Sequence, residues 1–255
     1  MHLAYLWGMN RIVAITNQKG GVGKTTSTAN IGAGLARAGK RVVLVDLDPQ
    51  TNLTKGLGLV DAEQNIYGAL LSEYDLMVYP RQQNLALVAG SPAISGFDKA
   101  KGDEVDREFL LKELLEPLRA QCDYILLDCP PAMGLITLNA YACAHTLYIP
   151  LEAQLFGVDG LEKVLDLVKR MQRRLNPDSV VGGLFFTRYD KRKILHRETT
   201  ETLREQYPDL LLASVIRESI ALGEAPHFGK DIFTYAPNSA GSVDYAALVA
   251  EILAR

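Results

Sequence analysis

The residues best suited to chemistry lie in a glycine-rich segment, Asn-Gln-Lys-Gly-Gly-Val-Gly-Lys-Thr-Thr, at positions 17–26. Glycines let successive backbone N–H groups turn toward a phosphate, and a helix that starts there adds its positive end. Lys24 can reach β- and γ-phosphates, and the Thr25 hydroxyl can bind Mg²⁺ directly. The segment therefore predicts a site for MgATP. Its predicted ATP-binding residues are Lys19, Gly20, Gly21, Val22, Gly23, Lys24, Thr25 and Thr26.

Two acidic motifs follow apolar runs elsewhere in the chain. Asp46-Leu-Asp48-Pro-Gln comes after residues 41–45, and alternation places both carboxylates on one side of an extended chain. Asp128-Cys-Pro-Pro comes after residues 124–127, which is the arrangement of a Walker B strand. Asp128 is therefore predicted to hold Mg²⁺ through water. Cys129 is interpreted as a packing residue.

The elements that must position these motifs alternate between apolar strands and amphipathic helices. This pattern predicts an α/β, single-domain P-loop fold with a twisted, mostly parallel sheet covered by helices on both faces. Ligands of such sheets bind at the carboxyl ends of the strands. The predicted strands are 12–16, 41–45, 85–89, 124–127, 146–150, 180–186 and 211–216. The predicted helices are 25–38, 105–119, 135–144, 161–175, 197–207 and 243–253.

One segment is the least regular in its pattern, and one predicted helix shows its apolar side clearly. Residues 51–102 predict loops, short helices and an antiparallel edge strand. In the predicted helix 105–119, helical spacing places Phe109, Leu110, Leu114 and Leu118 on one apolar side.

Composition restricts the class of protein. The chain has 255 residues, of which 48% are hydrophobic and 22% charged, with a net charge of −3, as in soluble globular proteins. Three cysteines without a CxxC pair predict reduced thiols in a cytoplasmic protein. No apolar run is long enough to span a membrane, so no membrane partner is expected. Residues 1–8 are predicted to be an extra N-terminal segment, disordered or non-native, before one ATPase domain at 9–255.

The phosphate loop departs from the ordinary pattern at one position. Gln18 stands where the first glycine is usual, and Lys19 adds a second lysine. This pattern resembles the deviant Walker A loop of the ParA/MinD family, and the small Soj-like partition ATPases in particular. The resemblance implies that Lys19 reaches the partner's phosphates across an ATP-sandwich homodimer. It also implies that Asp48 orients the attacking water and touches the Mg²⁺ water shell, and that Asp46 supports the loop and this shell. Lys19, Lys24 and Asp48 are thus the predicted catalytic residues.

The resemblance covers nearly the whole chain. Leu222-Gly-Glu-Ala-Pro226 and the stretch from Tyr235 to Gly241 look like the family's C-terminal signatures. From the family's base-contacting strand end, Thr187 and Arg188 are carried over as ATP-binding residues. Two positions depart from the pattern: Arg217 replaces a proline, and Ala221 replaces an arginine that is proposed to touch DNA.

Two clusters of basic residues are candidates for nonspecific DNA binding, which requires cations near phosphates. One is a loop with Arg188 and a single acid, Asp190, whose predicted DNA-binding residues are Lys191, Arg192, Lys193 and Arg197. The other lies on a predicted helix and consists of Lys169, Arg170, Arg173 and Arg174. A solvated surface is the ordinary interpretation of either cluster. The resemblance favours DNA binding and does not decide between them.

The sequence thus predicts an ATPase that needs ATP and Mg²⁺, dimerises with ATP and binds DNA nonspecifically at the nucleoid. A ParB-type activator protein would stimulate hydrolysis and release, and so segregate chromosome or plasmid DNA. Several alternatives remain: a ParA-like ATPase that positions another large cargo, a MinD-like regulator, a metabolic enzyme related to amide ligases, or a non-hydrolysing switch.

Overall fold

The computed structural model describes residues 11–153 and 158–255, so the predicted extra segment 1–8 lies outside the described residues. Within these ranges the strands form one eight-stranded sheet in the order β3-β4-β2-β5-β1-β6-β7-β8. The pairing is parallel except between β3 and β4, which is the antiparallel edge predicted within 51–102. The strands are β1 Arg11–Ile15, β2 Val42–Asp46, β3 Tyr79–Gln82, β4 Leu85–Val88, β5 Tyr124–Asp128, β6 Thr146–Glu152, β7 Val180–Tyr189 and β8 Leu211–Arg217.

Helices connect the strands and cover the sheet. They are α1 Lys24–Arg37, α2 Asn52–Gly56, α3 Ile66–Leu70, α4 Phe97–Ala100, α5 Leu110–Arg119, α6 Leu135–Cys143, α7 Val158–Leu175, α8 Ile194–Gln206, α9 Ile220–Glu224, α10 Ile232–Tyr235 and α11 Ala240–Leu253. Three 3₁₀ turns, Pro92–Gly96, Arg107–Phe109 and Ala225–Phe228, complete the regular structure.

The sheet separates two hydrophobic cores, as the predicted coverage of both faces requires. Successive residues of β1 point to opposite faces. Ile12 and Ala14 therefore join the core beneath α5, α6 and α7, whereas Val13 and Ile15 join the core beneath α1 and α11. Since both faces of the central strands are buried, they are apolar throughout rather than alternating.

The prediction for residues 105–119 was wrong in two details. Asp106 has a left-handed backbone with φ of 57°, which interrupts the chain, so the regular helix begins at Leu110 after a 3₁₀ turn. The side that packs deepest carries Leu111 and Leu115, both fully buried, while the predicted leucines are only partly buried. The predicted residues thus lie at the margin of the buried side of the helix, and Leu111 and Leu115 lie at its centre.

Two carboxylates of α11 cover the backbone of the edge strand β8. Glu251 accepts hydrogen bonds from the N–H groups of Ala213 and Ser214 at 2.8 and 2.9 Å. Asp244 accepts one from the N–H of Arg217 at 2.9 Å. The N–H groups on the outer side of an edge strand have no neighbouring strand to pair with. The carboxylates of α11 accept hydrogen bonds from three such groups of β8.

Candidate nucleotide site

The phosphate loop connects β1 to α1 and has the backbone that its glycines allow. Gly21 and Gly23 have φ of 77° and 82°, in the left-handed region that side chains with a Cβ rarely adopt. Val22, between them, is fully buried and holds the loop against the body of the protein. The Lys24 ammonium donates a hydrogen bond to the carbonyl oxygen of Lys19 at 2.9 Å, so it lies across the loop.

Two polar side chains tie the loop to the neighbouring strands. Asn17 donates to the carbonyl of Pro150 on β6 at 2.8 Å and accepts from the N–H of Lys19 at 3.0 Å. The Thr187 hydroxyl, at the end of β7, lies 2.9 Å from the carbonyl oxygen of Val22. Thr187, predicted as a nucleotide contact, is therefore also a support of the loop.

The two acidic motifs meet beside Lys24 because their strands are neighbours. Asp46 of β2 and Asp128 of β5 are paired in register at the carboxyl ends of these strands, and both are fully buried. Burial raises the pKa of Asp128 well above its usual range, and the charge of Asp46 adds to this rise. Burial lowers the pKa of Lys24, although the negative charges of Asp128 and Asp48 act to raise it.

The hydrogen-bond partners of Asp46 lie outside the phosphate loop that it was expected to support. Its carboxylate accepts hydrogen bonds from the N–H and the hydroxyl of Thr54 at 2.9 and 2.6 Å, and from the N–H of Asp48 at 3.2 Å. These partners belong to α2 and the turn before it, not to the phosphate loop. Asp48 itself is nearly buried and accepts from the N–H of Gln50 at 2.9 Å.

The residues predicted to hold Mg²⁺ fit that ion. Asp128 accepts a hydrogen bond from the Thr28 hydroxyl at 3.3 Å, and the nearby Thr25 side chain lowers the pKa of Asp128 against the effect of burial. Its second oxygen, Oδ2, is buried and lacks a hydrogen-bond partner in the part of the chain that the structure describes. A hydroxyl and carboxylates beside a phosphate loop supply the oxygen ligands and water contacts that Mg²⁺ prefers.

A cleft of about 660 Å³ runs from this polar end toward the ends of β7 and β8. The predicted residues Thr187 and Arg188 line it, as do Thr26 and Asp48. Its far wall also includes several residues that were not predicted to bind ATP, namely Ile216, Arg217, Glu218, Ser219, Leu222 and Tyr245. The cleft has room for a base and ribose beyond the phosphates.

Arg217, which departs from the family pattern, is fixed in this wall by Asp244 of α11. Its guanidinium donates to both carboxylate oxygens, at 2.7 Å from Nη2 and 2.9 Å from Nε. Tyr245 similarly links α11 to α1, with its hydroxyl 3.0 Å from that of Ser27. The sequence carried no local signal for these links because each joins residues far apart in the chain.

Comparison with known proteins agrees with this geometry. A family model described as an AAA domain matches residues 10–181. The sporulation initiation inhibitor protein Soj of Bacillus subtilis is 38% identical over 251 residues, which cover 96% of this chain and 99% of the relative. The chromosome-partitioning ATPase Soj of Treponema pallidum is 40% identical over 250 residues, which cover 97% of this chain and 98% of the relative. This chain belongs to the Soj/ParA family.

Solved structures of related proteins have the same fold as this Soj/ParA chain. The cell division ATPase MinD of Pyrococcus furiosus is 27% identical with a TM-score of 0.80, over 96% of this chain and 99% of MinD. A cobyrinic acid a,c-diamide synthase from Mycobacterium smegmatis, with bound ADP and magnesium, is 30% identical with a TM-score of 0.84, over 96% of this chain and 94% of that chain.

The loop cluster of this Soj/ParA chain extends from the end of β7, which holds Arg188, to the start of α8, which holds Arg197. Arg192 forms an ion pair with Asp190 at 2.8 Å, and Arg188 forms one with Glu152 at 3.3 Å. Lys191, Lys193 and Arg197 are exposed. The cluster borders the cleft, because Lys191 and Arg192 line a second cavity together with Arg217, which also lines the cleft.

The helix cluster lies on α7, where Lys169, Arg170, Arg173 and Arg174 are all exposed. Both predicted clusters thus reach solvent. Among the residues that the structure describes, none of the helices has the length and apolar character of a membrane span.

Proposed function

We propose that this chain is a partition ATPase that hydrolyses MgATP and whose ATP-bound form holds DNA. The observation that carries the proposal is the meeting of Lys24, Asp48 and Asp128 at one end of a nucleotide-sized cleft. The names of the relatives support it: one Soj is called a chromosome-partitioning ATPase, and the MinD structure is that of a cell division ATPase.

Phosphoryl transfer depends mainly on positioning and on stabilisation of charge at the γ-phosphate. Lys24 and the N–H groups of the loop would bind the phosphates, since both are donors directed at a buried site. Thr25 would bind Mg²⁺ directly, and Asp48 and Asp128 through water. When bound, Mg²⁺ would neutralise phosphate charge. Asp48, held beside the cleft by the N–H of Gln50, would orient the attacking water.

Lys19 gives the site its proposed dependence on a second copy. Its backbone N–H is held by the Asn17 side chain, and its carbonyl accepts from the Lys24 ammonium. A lysine at this position would reach the γ-phosphate of a partner copy, as an arginine finger does. The ATP-bound homodimer would thereby contain two complete sites, and hydrolysis would separate the copies.

The exposed basic clusters support nonspecific DNA binding, which needs cations close to phosphates but no base-specific contacts. A ParB-type activator would accelerate hydrolysis and release the DNA. A cytoplasmic, nucleoid-associated location and one ATPase domain over 9–255 belong to the same proposal.

The experiment is DNA retention on a column with ATP, ADP or no nucleotide, accompanied by size exclusion and phosphate release. Wild type should be retained only with ATP. Lys24→Ala should lose ATP binding and retention, while Asp48→Ala should bind ATP, hydrolyse it slowly and accumulate as a dimer. Lys112→Ala, an exposed lysine on α5, is the matched control and should behave as wild type. Retention that is equal with and without ATP would contradict the proposal.

A second candidate is an ATP-dependent amide-forming enzyme. It is favoured by the TM-score of 0.84 with a chain that is named a diamide synthase. Such an enzyme would hydrolyse ATP only when a carboxylic acid acceptor is present, and DNA would not affect it. Phosphate release without any acceptor would exclude this alternative.

A further inference from the structure

The helix that follows the Walker B strand has no N-terminal cap of its own. α6 begins after the switch II segment, residues 129–134, and its N-cap residue is Gly134, which has no side chain to cap with. Its first turn, Leu-Ile-Thr-Leu, also contains no acid. The first N–H groups of a helix have no partner within the helix, so a cap must come from elsewhere.

Asp98 of α4 supplies this cap from 37 residues away. Its Oδ1 accepts a hydrogen bond from the N–H of Leu135 at 3.0 Å. The carboxylate lies so close that a Cβ on Gly134 would be 3.2 Å from each of its oxygens. A negative charge at this position also faces the positive end of α6. The absence of a side chain at Gly134 therefore allows the Asp98 carboxylate to approach the start of α6.

The segment that carries Asp98 is fixed on both sides of it. Phe97 is fully buried in the core beneath α6 and holds α4 in place. Asn139 of α6 donates to the carbonyl of Arg107 at 2.8 Å and accepts from the N–H of Leu111 at 2.9 Å. Residues 97–111 are thus joined to α6 by side-chain hydrogen bonds at two points, Asp98 and Asn139.

The switch II segment is consequently held at both ends. Asp128 fixes its start at the carboxyl end of the central strand β5, and Asp98 fixes its end at Leu135. Within this short span, Ala132 accepts a hydrogen bond from the Thr137 hydroxyl at 2.7 Å, and Pro131 lines the nucleotide cleft. A shift of the α6 start would therefore move the wall of the cleft beside Asp48.

We propose that Asp98 is a positioning residue for ATP hydrolysis. It caps α6 and so sets where the switch II segment lies against the bound nucleotide. The proposal rests on the proposed ATPase function. Asp98 is not among the residues that line the cleft. Its effect should therefore fall on the rate of hydrolysis and not on the affinity for ATP.

The test compares Asp98→Ala with Asp98→Asn, since an asparagine caps a helix as well as an aspartate and an alanine does not. Asp98→Ala should lower kcat about tenfold or more, because misplacement by about 1 Å can cost a hundredfold. The Kd for ATP should stay within about twofold of wild type, and Asp98→Asn should restore most of the rate. Asp103→Ala, an exposed acid in the same segment, is the control.

Hydrogen exchange of peptides from 130–138 gives an independent measurement without nucleotide. Exchange should rise in Asp98→Ala and remain at the wild-type level in Asp98→Asn. If Asp98→Ala does not fold, Asp98→Leu keeps the approximate shape and lacks the acceptor. An unchanged kcat in the acceptor-free variant, an equal loss in Asp98→Asn, or a matching loss of ATP affinity would overturn the proposal. If Asp48→Ala is then still defective, the ATPase assignment stands without it.

Discussion

His145 and His196 each use Nδ1 to accept a backbone hydrogen bond. The donors are the N–H of Ile12 at 2.9 Å and the N–H of Asp190 at 3.0 Å. An imidazole can accept in this way only when it is neutral. Burial accordingly lowers the pKa of both residues, and nearby cations, Arg119 for His145 and Lys193 for His196, lower it further.

These histidines should make folding depend on pH. Their pKa is lower in the folded protein than the value of about 6.5 in the unfolded chain, so the unfolded chain binds more protons as pH falls. Their stabilising contribution is complete above that value and is lost as pH decreases below it. Asp46 and Asp128 act in the opposite sense, because their raised pKa values favour the folded protein at low pH.

A single substitution separates the two effects. In urea denaturation between about pH 7.5 and 5.5, His145→Gln should lose less unfolding free energy on acidification than wild type does, because the titrating imidazole is gone. His227→Gln, at an exposed position, should give a curve parallel to that of wild type. A His145→Gln curve that is also parallel would contradict the assignment.

At the residue scale, short sequence motifs predicted most of the residues that lie at the polar end of the cleft. Each motif follows an apolar strand directly, so its place in a parallel sheet is determined once the strands are assigned. The partners of Asp46 and Arg217 were not predictable in this way. Thr54 lies on a short helix without periodicity, and Asp244 lies on another element, so only the folded chain brings these pairs together.

At the element scale, the near-continuous apolar strands identified the sheet because central parallel strands are buried on both faces. Element ends were less predictable. The predicted helix 197–207 starts earlier, at Ile194, where Lys193 serves as the N-cap residue without a side-chain hydrogen bond. The short helix α9 and the turn after it carry too few residues to show a period.

The packing of α1 against α11 depends on a glycine that helix propensity disfavours. A Cβ on Gly34 would lie 2.7 Å from Cγ2 of Val249 and 3.3 Å from the ring of Phe233. Real side chains do not approach as closely as 2.7 Å, so Val249 on α11 would have to move, and the Phe233 ring would have to shift slightly as well. The glycine thus permits close contact between two helices that both border the nucleotide cleft.

Gly34→Ala should therefore destabilise the protein, although alanine favours a helix by about 1 kcal/mol relative to glycine. Overpacking of this kind costs about 1–3 kcal/mol, which exceeds or offsets that gain. Gly223→Ala on α9 is the control, because nothing lies within 4 Å of its Cβ position, and it should be neutral or stabilising. Urea denaturation without nucleotide measures both. A Gly34→Ala variant that is more stable than wild type would contradict the prediction and show that α11 can move to make room for the methyl group.

At the scale of the whole molecule, a chain of net charge −3 can bind DNA, as proposed, only through a basic part of its surface. The two exposed basic clusters differ in position, since one borders the nucleotide cleft and the other lies on α7. The loop cluster also has fewer available cations than its sequence suggests, because Arg192 is engaged by Asp190. Arg192 is nevertheless exposed, as are Lys191, Lys193 and Arg197.

Charge reversal of two loop cations should identify the surface that holds DNA. Lys193→Glu with Arg197→Glu should weaken ATP-dependent retention and leave ATP affinity unchanged. It should also reduce the slope of log affinity against log salt by about two, since each phosphate contact contributes about one. Arg170→Glu with Arg173→Glu on α7 is the matched variant. If only the α7 variant loses retention, DNA binds there and the loop prediction is wrong.

The two carboxylates that α11 places on β8 have a consequence for proteolysis and aggregation. While Glu251 and Asp244 occupy the N–H groups of this strand, a foreign strand cannot hydrogen-bond to those groups. Clipping of the chain before α11 would remove both acids and uncover an apolar strand with unpaired donors, which is the usual template for intermolecular β-pairing. The last helix therefore helps to keep the molecule soluble. Loss of a short C-terminal piece would be expected to cause fibrous aggregation and not only a loss of activity.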